Sequence, residues 1–194
     1  MIQGFDRKIF GVGYHRTGTT TLQACFRILG FKETGFNFRL TADLVTRGAI
    51  EPVLEHARGV EGFQDWPWPL CFREVDQEFP GSRFVLTTRE NSDRWFASLM
   101  NHFKWAIQNG PNRFPEVFPL LYGAEFPNNR SACIEKYERH NQEVRDFFCG
   151  SDRFLEVCWD KGDGWEALCP FLERPVPAQP FPSINRFSAQ SGRT

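Results

Sequence analysis

Residues 11 to 22 read GVGYHRTGTTTL, and their types and spacing suit one task, the holding of an anion. Gly13 and Gly18 let backbone N–H groups approach a cluster of charged oxygens, and Thr19, Thr20 and Thr21 add hydroxyl donors where a helix would begin. Arg16, two residues before Gly18, gives the loop a cation of its own, with His15 before it and Thr17 after it. The nucleotide-triphosphate pattern G-x-x-x-x-G-K-[ST] has the same glycine spacing but asks for lysine where this chain has Thr19. A GVG alone would say little. The whole loop, set between an apolar run and a helical pattern, says much more, against the plain alternative of a glycine turn that binds nothing.

A second cation, Arg89, stands where the apolar run RFVLTT (83–88) ends, a few residues before a helix begins. ATP-splitting folds commonly put a magnesium-binding Asp at such a strand end, whereas a guanidinium seeks phosphate. The plain alternative pairs Arg89 with a surface carboxylate such as Glu90 or Asp93. Ser92 and Ser98 are the hydroxyls nearby. For proton chemistry, Asp65 lies at a strand end before the Pro67 turn, where it could take a proton or merely cap the turn. His15 and His102 are the other candidate bases, while His56 and His140 read as surface helix residues. Trp66 and Trp68 could wall a ligand, with burial in the core as the default for tryptophan.

Several elements must position these groups. KIFGV (8–12) reads as a buried strand, and Leu22, Cys25, Phe26 and Leu29 recur at helical spacing up to Gly30. Residues 41–58 read as helical but interrupted by Gly48 and Pro52. A strand leads into Asp65, a helix carries Leu70, Val75 and Phe79, and 83–88 is the clearest strand. Residues 93–107 put Trp95, Phe96, Leu99, Phe103 and Ile107 on one helix face. Residues 108–129, with four prolines, read as a loop-like insertion. A helix over 131–148, with Ile134, Tyr137 and Val144 inward, a strand over 153–159 and a helix over 164–172 follow. The tail from Glu173 reads as an extended strap anchored by Phe181, Ile184 and Phe187. Strands alternating with helices predict an α/β fold, a parallel sheet covered on both faces, with ligands outside the carboxyl ends of the strands.

Composition sets the outer bounds. A chain of 194 residues with 41% hydrophobic and 15% aromatic residues should fold as one unit over 1–194 with a phenylalanine-rich core. A net charge of -1 gives no reason to expect nucleic acid or an anionic membrane as partner. Six cysteines without C-x-x-C or zinc spacing, no signal-like leader and no long apolar run predict reduced thiols, no metal and a cytoplasmic location.

R-T-G-T-T opened by a basic residue resembles the 5'-phosphosulfate loop of the P-loop sulfotransferase family. The strand ending on Arg89, the D-x-P element at Asp65, the segment IEKYERHNQEVRDFF and the closing region GDGWEALCPFLERPVPAQPFPSINR are also similar to that family. The resemblance implies a P-loop NTPase-like three-layer sandwich, with 3'-phosphoadenosine 5'-phosphosulfate (PAPS) as co-substrate and no metal. It implies Gly13, Thr17, Gly18, Thr19 and Thr20 around the 5'-phosphate, and Arg16 as the cation facing the departing sulfuryl group. Arg89 with a helix serine would hold the 3'-phosphate, and Arg186 could reach it from the tail. The family serine falls eight residues after the arginine; Ser98 falls nine after Arg89, and Ser92 competes. Residues 31–60 and 108–129 match least and fall to the acceptor side, for a small-molecule or glycan acceptor bearing a hydroxyl or amine. Oligomeric state is not legible. A P-loop kinase or NTPase, disfavoured by Thr19, and a catalytically silent nucleotide-binding relative are the other two classes the residues leave open.

Overall fold

The computed structural model describes residues 7–110 and 114–182. Its centre is a five-stranded, all-parallel sheet in the order β2-β3-β1-β4-β5. The strands are β1 (Ile9–Gly11), β2 (Glu33–Thr34), β3 (Gly62–Phe63), β4 (Arg83–Thr87) and β5 (Phe154–Val157). Alternation along them sorts the core. Ile9, Val85 and Val157 face one layer with α1 (Thr19–Ile28) and α8 (Trp165–Phe171). Phe10, Phe63, Phe84 and Leu86 face the other, with α3 (Glu51–Arg58), α4 (Phe72–Glu78) and α7 (Arg130–Phe147). The result is the helix-covered α/β sandwich that the strand and helix alternation predicts.

The interruption read in 41–58 is real. Gly48, at φ 65, ends α2 (Phe38–Arg47), and Pro52 sits in the first turn of α3, where its missing N–H costs nothing. Residues 108–129 are less irregular than their prolines suggest, because they contain α6 (Val117–Tyr122). Pro119 falls in the first turn of that helix, where proline is tolerated, and Phe118, Leu121 and Tyr122 supply the buried face. A further aromatic core joins α5 (Ser92–Gln108), α6 and α7 to Tyr14 and Trp66 at the carboxyl end of the sheet. Trp95 and Tyr137 stack there at 4.3 Å and 5°, a contact worth about 1 kcal/mol beyond its area.

Three positions depart from expectation. His140 is buried, with its Nε2 2.7 Å from the Val12 carbonyl, so it is a core residue of α7. Ile107 is 55% exposed and Ala106 takes the inward position, one residue out of the expected phase. Ile134 is only half-buried, while Cys133 and Tyr137 lie inside. All six cysteines are free. Phe181 anchors the start of the strap between Trp159 and Trp165; Ile184 and Phe187 lie outside the described residues.

Candidate functional site

In the order 2-3-1-4-5 the connection leaving β1 runs to one side, toward β2, and that leaving its neighbour β4 runs to the other, toward β5, so a crevice opens beyond the carboxyl ends of this pair. The glycine loop fills that crevice. Gly13 passes so close to Thr87 at the end of β4 that a Cβ would collide with its backbone and hydroxyl. Thr17 is fully buried; its hydroxyl lies 2.6 Å from Thr87 Oγ1 and donates to the Tyr14 carbonyl at 2.5 Å. Its N–H also goes to Tyr14 at 3.3 Å, so Thr17 fastens the loop and has no donor left over.

Gly18 caps α1 with φ 99 and no side-chain cap. The N–H groups of Gly18, Thr19 and Thr20 hydrogen-bond to no other described residue, leaving an open helix start. Arg16 stands over it at φ 70, a left-handed conformation that is costly for a residue with a side chain. Its Nε donates to Ser98 Oγ at 3.1 Å, and its terminal nitrogens engage no described residue. Burial chiefly, and nearby Arg89, disfavour its charge, while Asp65 supports it. Arg16 thus has a second guanidinium within electrostatic reach and free helix N–H groups next to it in the chain, an arrangement that suits an anion.

Asp65 lies two residues beyond β3 and is also left-handed, at φ 67. One carboxylate oxygen accepts from Trp66 N at 2.9 Å and the other from Thr19 Oγ1 at 3.0 Å. Burial raises its pKa, against the pull of those two bonds and of Arg16. It caps the turn, and it is also a carboxylate held against the glycine loop, a place from which the proton-taking reading stays open. Thr19 spends its hydroxyl on Asp65, whereas Thr20 is exposed.

Arg89 does pair with a carboxylate, as the plain alternative has it, but the partner is Asp160 and not Glu90 or Asp93. Its Nε lies 3.1 Å from Asp160 Oδ2, an ion pair without good hydrogen-bond alignment, and its N–H donates to Tyr137 Oη at 3.1 Å. Ser98 and His102 follow one another on the same face of α5, both near Arg16. Burial and then Arg16 hold the His102 pKa down to about 4, so this imidazole is neutral at pH 7. Ser92 lies at the solvent edge and donates to Glu138 at 2.6 Å. Arg186 lies outside the described residues. Trp66 and Trp68 are fully buried, Trp66 packing against Tyr14 and His15, Trp68 in the core beneath.

A sulfotransferase domain profile matches residues 8–189, nearly the whole chain. The chain belongs to the sulfotransferase-domain family. A relative from Aspergillus versicolor, named "Ava biosynthesis cluster protein M", is 27% identical over 212 residues, spanning 91% of this chain and 80% of its own length. Among the described residues of this sulfotransferase-domain chain, no group of three or more His, Cys, Asp or Glu side chains could hold a metal ion. No helix among them is long and apolar enough to cross a membrane.

Two residues at the site were not singled out as ligand groups in the sequence. Trp159, just past β5, lies on Gly18 and donates to its carbonyl at 3.3 Å; any Cβ at Gly18 would strike its ring. Its place beyond the carboxyl end of a parallel strand is the signal that would have found it. Tyr122 ends α6 with its hydroxyl 2.7 Å from His15 Nε2, and the spacing of Phe118, Leu121 and Tyr122 was the signal hidden by the prolines.

Proposed function

We propose that this chain transfers a sulfuryl group from PAPS to a hydroxyl or amine of a small-molecule or glycan acceptor, without a metal. The carrying observation is Arg16, a half-buried guanidinium with free terminal nitrogens above the uncapped start of α1 and beside Arg89. PAPS, when bound, supplies an activated sulfuryl group on a 5'-phosphate. The N–H groups of Gly18, Thr19 and Thr20 would take the 5'-phosphate, and Arg16 would neutralise charge collecting on the oxygen that the sulfuryl group leaves. Arg89, with Ser98, would meet the 3'-phosphate, and the Trp159 ring over Gly18 offers the adenine a face. Asp65 would take the acceptor proton; a pKa raised by burial makes a carboxylate a better base near neutral pH.

Calorimetry tests the donor half. Adenosine 3',5'-bisphosphate should bind without metal and more tightly than adenosine 5'-monophosphate or ATP with magnesium. Preference for ATP with magnesium would point to phosphoryl transfer instead, and binding without turnover of PAPS over a panel of phenols, alcohols, amines and sugars would point to a silent relative.

A further inference from the structure

His15 and Tyr122 join two parts of the chain that lie 107 residues apart. Besides the 2.7 Å contact between Tyr122 Oη and His15 Nε2, the two rings stack at 5.6 Å and 21°. Both residues are 5% exposed. Each is pinned from behind: Trp95 Nε1 donates to the His15 carbonyl at 3.1 Å, and Asn129 Nδ2 to the Tyr122 carbonyl at 2.7 Å. These bonds anchor the two main chains, and burial confines the two side chains.

The direction of the shared hydrogen bond follows from chemistry. A phenol O–H is a stronger donor than a neutral imidazole N–H, and an imidazole lone pair is a better acceptor than a phenol oxygen. His15 is neutral, since burial, then His102 and Arg16, hold its pKa well below the usual range. Tyr122 therefore donates, Nε2 carries the lone pair, and the proton of the ring sits on Nδ1. Nδ1 hydrogen-bonds to no described residue.

We propose that Tyr122 is a positioning residue that fixes His15 as its Nδ1–H tautomer, so that the loop histidine serves as a neutral hydrogen-bond donor to the anion beside Arg16. His15 is then no general base, because the phenol occupies its basic nitrogen. The identity of that anion as the phosphosulfate rests on the sulfuryl-transfer reading; the tautomer does not. The pair also ties α6, on the acceptor side, to the loop that holds the donor.

Long-range 1H–15N correlation on the full chain labelled at histidine reads the tautomer directly. His15 should show Nδ1–H in the native chain and move toward Nε2–H in Tyr122→Phe, and the Nε2–H form in the native chain would overturn the proposal. In turnover, Tyr122→Phe should lower kcat/KM for PAPS about 5- to 10-fold, the worth of one neutral hydrogen bond. His15→Asn, whose amide overlies Nδ1, should keep activity within about threefold, whereas His15→Gln, whose amide overlies Nε2, should lose about tenfold. Equal loss in the two would also overturn it, and this pair carries the test should Tyr122→Phe fail to fold. A native chain with the Nδ1–H tautomer but no turnover of PAPS would uphold the tautomer and defeat the sulfuryl-transfer reading alone.

Discussion

Replacing Asp65 by Asn separates a proton-taking carboxylate from one that only shapes the turn. The two native hydrogen bonds survive the change. The Asn oxygen can still accept from Trp66 N, and its amide can donate to Thr19 Oγ1, which reverses its role. Asn is also among the residues that best tolerate the positive φ found there. Stability should therefore stay within about 1 kcal/mol, a Tm change of a few degrees. Affinity for adenosine 3',5'-bisphosphate should hold or tighten by about two- to fivefold, because a negative charge near the anion loop is gone. Turnover should fall by about 10²–10⁴-fold, or roughly 3–5 kcal/mol of barrier, if Asp65 takes the acceptor proton. Asp65→Ala gives the contrast: it loses both bonds and places a less tolerant residue at positive φ, for about 3 kcal/mol and a Tm drop of roughly 6–12 °C. The assays are steady-state turnover of PAPS, calorimetry and thermal melts on the same preparations. Near-native turnover in Asp65→Asn refutes the base assignment, and the neutral His102 imidazole near Arg16 becomes the group to test.

Four shorter expectations follow from the same geometry. Arg16→Ala should lower kcat by 100-fold or more, roughly the effect of one lost charge-stabilising donor, while weakening product-nucleotide binding far less; equal losses in kinetics and calorimetry would make it an anchor only. Arg89→Ala should erase most of the preference for adenosine 3',5'-bisphosphate over the 5'-monophosphate, about 1.5–3 kcal/mol by calorimetry. Trp159→Ala should weaken bisphosphate binding by about 1–3 kcal/mol if its ring stacks on the base, and leave it unchanged if the ring only covers Gly18. His140 has a folded pKa of about 4, set by burial, against 6.5 ordinarily, so the unfolded chain binds a proton that the folded chain refuses. Stability should then fall by up to about 3 kcal/mol as pH drops from about 6.5 to 4, and chemical denaturation of His140→Gln, which can still donate to Val12 O, should show a flatter decline.

Much of this fold was legible because its signals are local. The helix after the glycine loop, the apolar run of β4 and the glycine stop of α2 each follow from a few neighbouring residues and fall where they were expected. What escaped is what depends on distant partners or on helix phase. His140 reads as a surface residue in a helix rich in charge, yet it is inward because Val12 offers it a carbonyl 128 residues away. Trp159 reads as the end of a strand and becomes part of the site only because the loop glycine 141 residues earlier lies beneath it. The strand feeding Asp65 is two residues long, too short to carry an alternating pattern of its own.

The serine question shows how phase decides what counting cannot. Counted from Arg89, the residue at plus eight is Ala97, which points to solvent, and the residue at plus nine is Ser98, which is buried. Orientation is set by where α5 begins, and Asn91 fixes that start by accepting from Arg94 N at 2.9 Å. From that cap, the helix turns Ser98 toward Arg16 and leaves Ser92 at the outer edge. The donors then settle their chemistry. Ser92 gives its proton to Glu138, whereas Ser98 accepts from Arg16 Nε and keeps its own O–H to give. A hydroxyl that steadies the loop cation while holding a free donor favours Ser98 over Ser92 as the partner of Arg89, and would couple the grip on the 3'-phosphate to the position of Arg16.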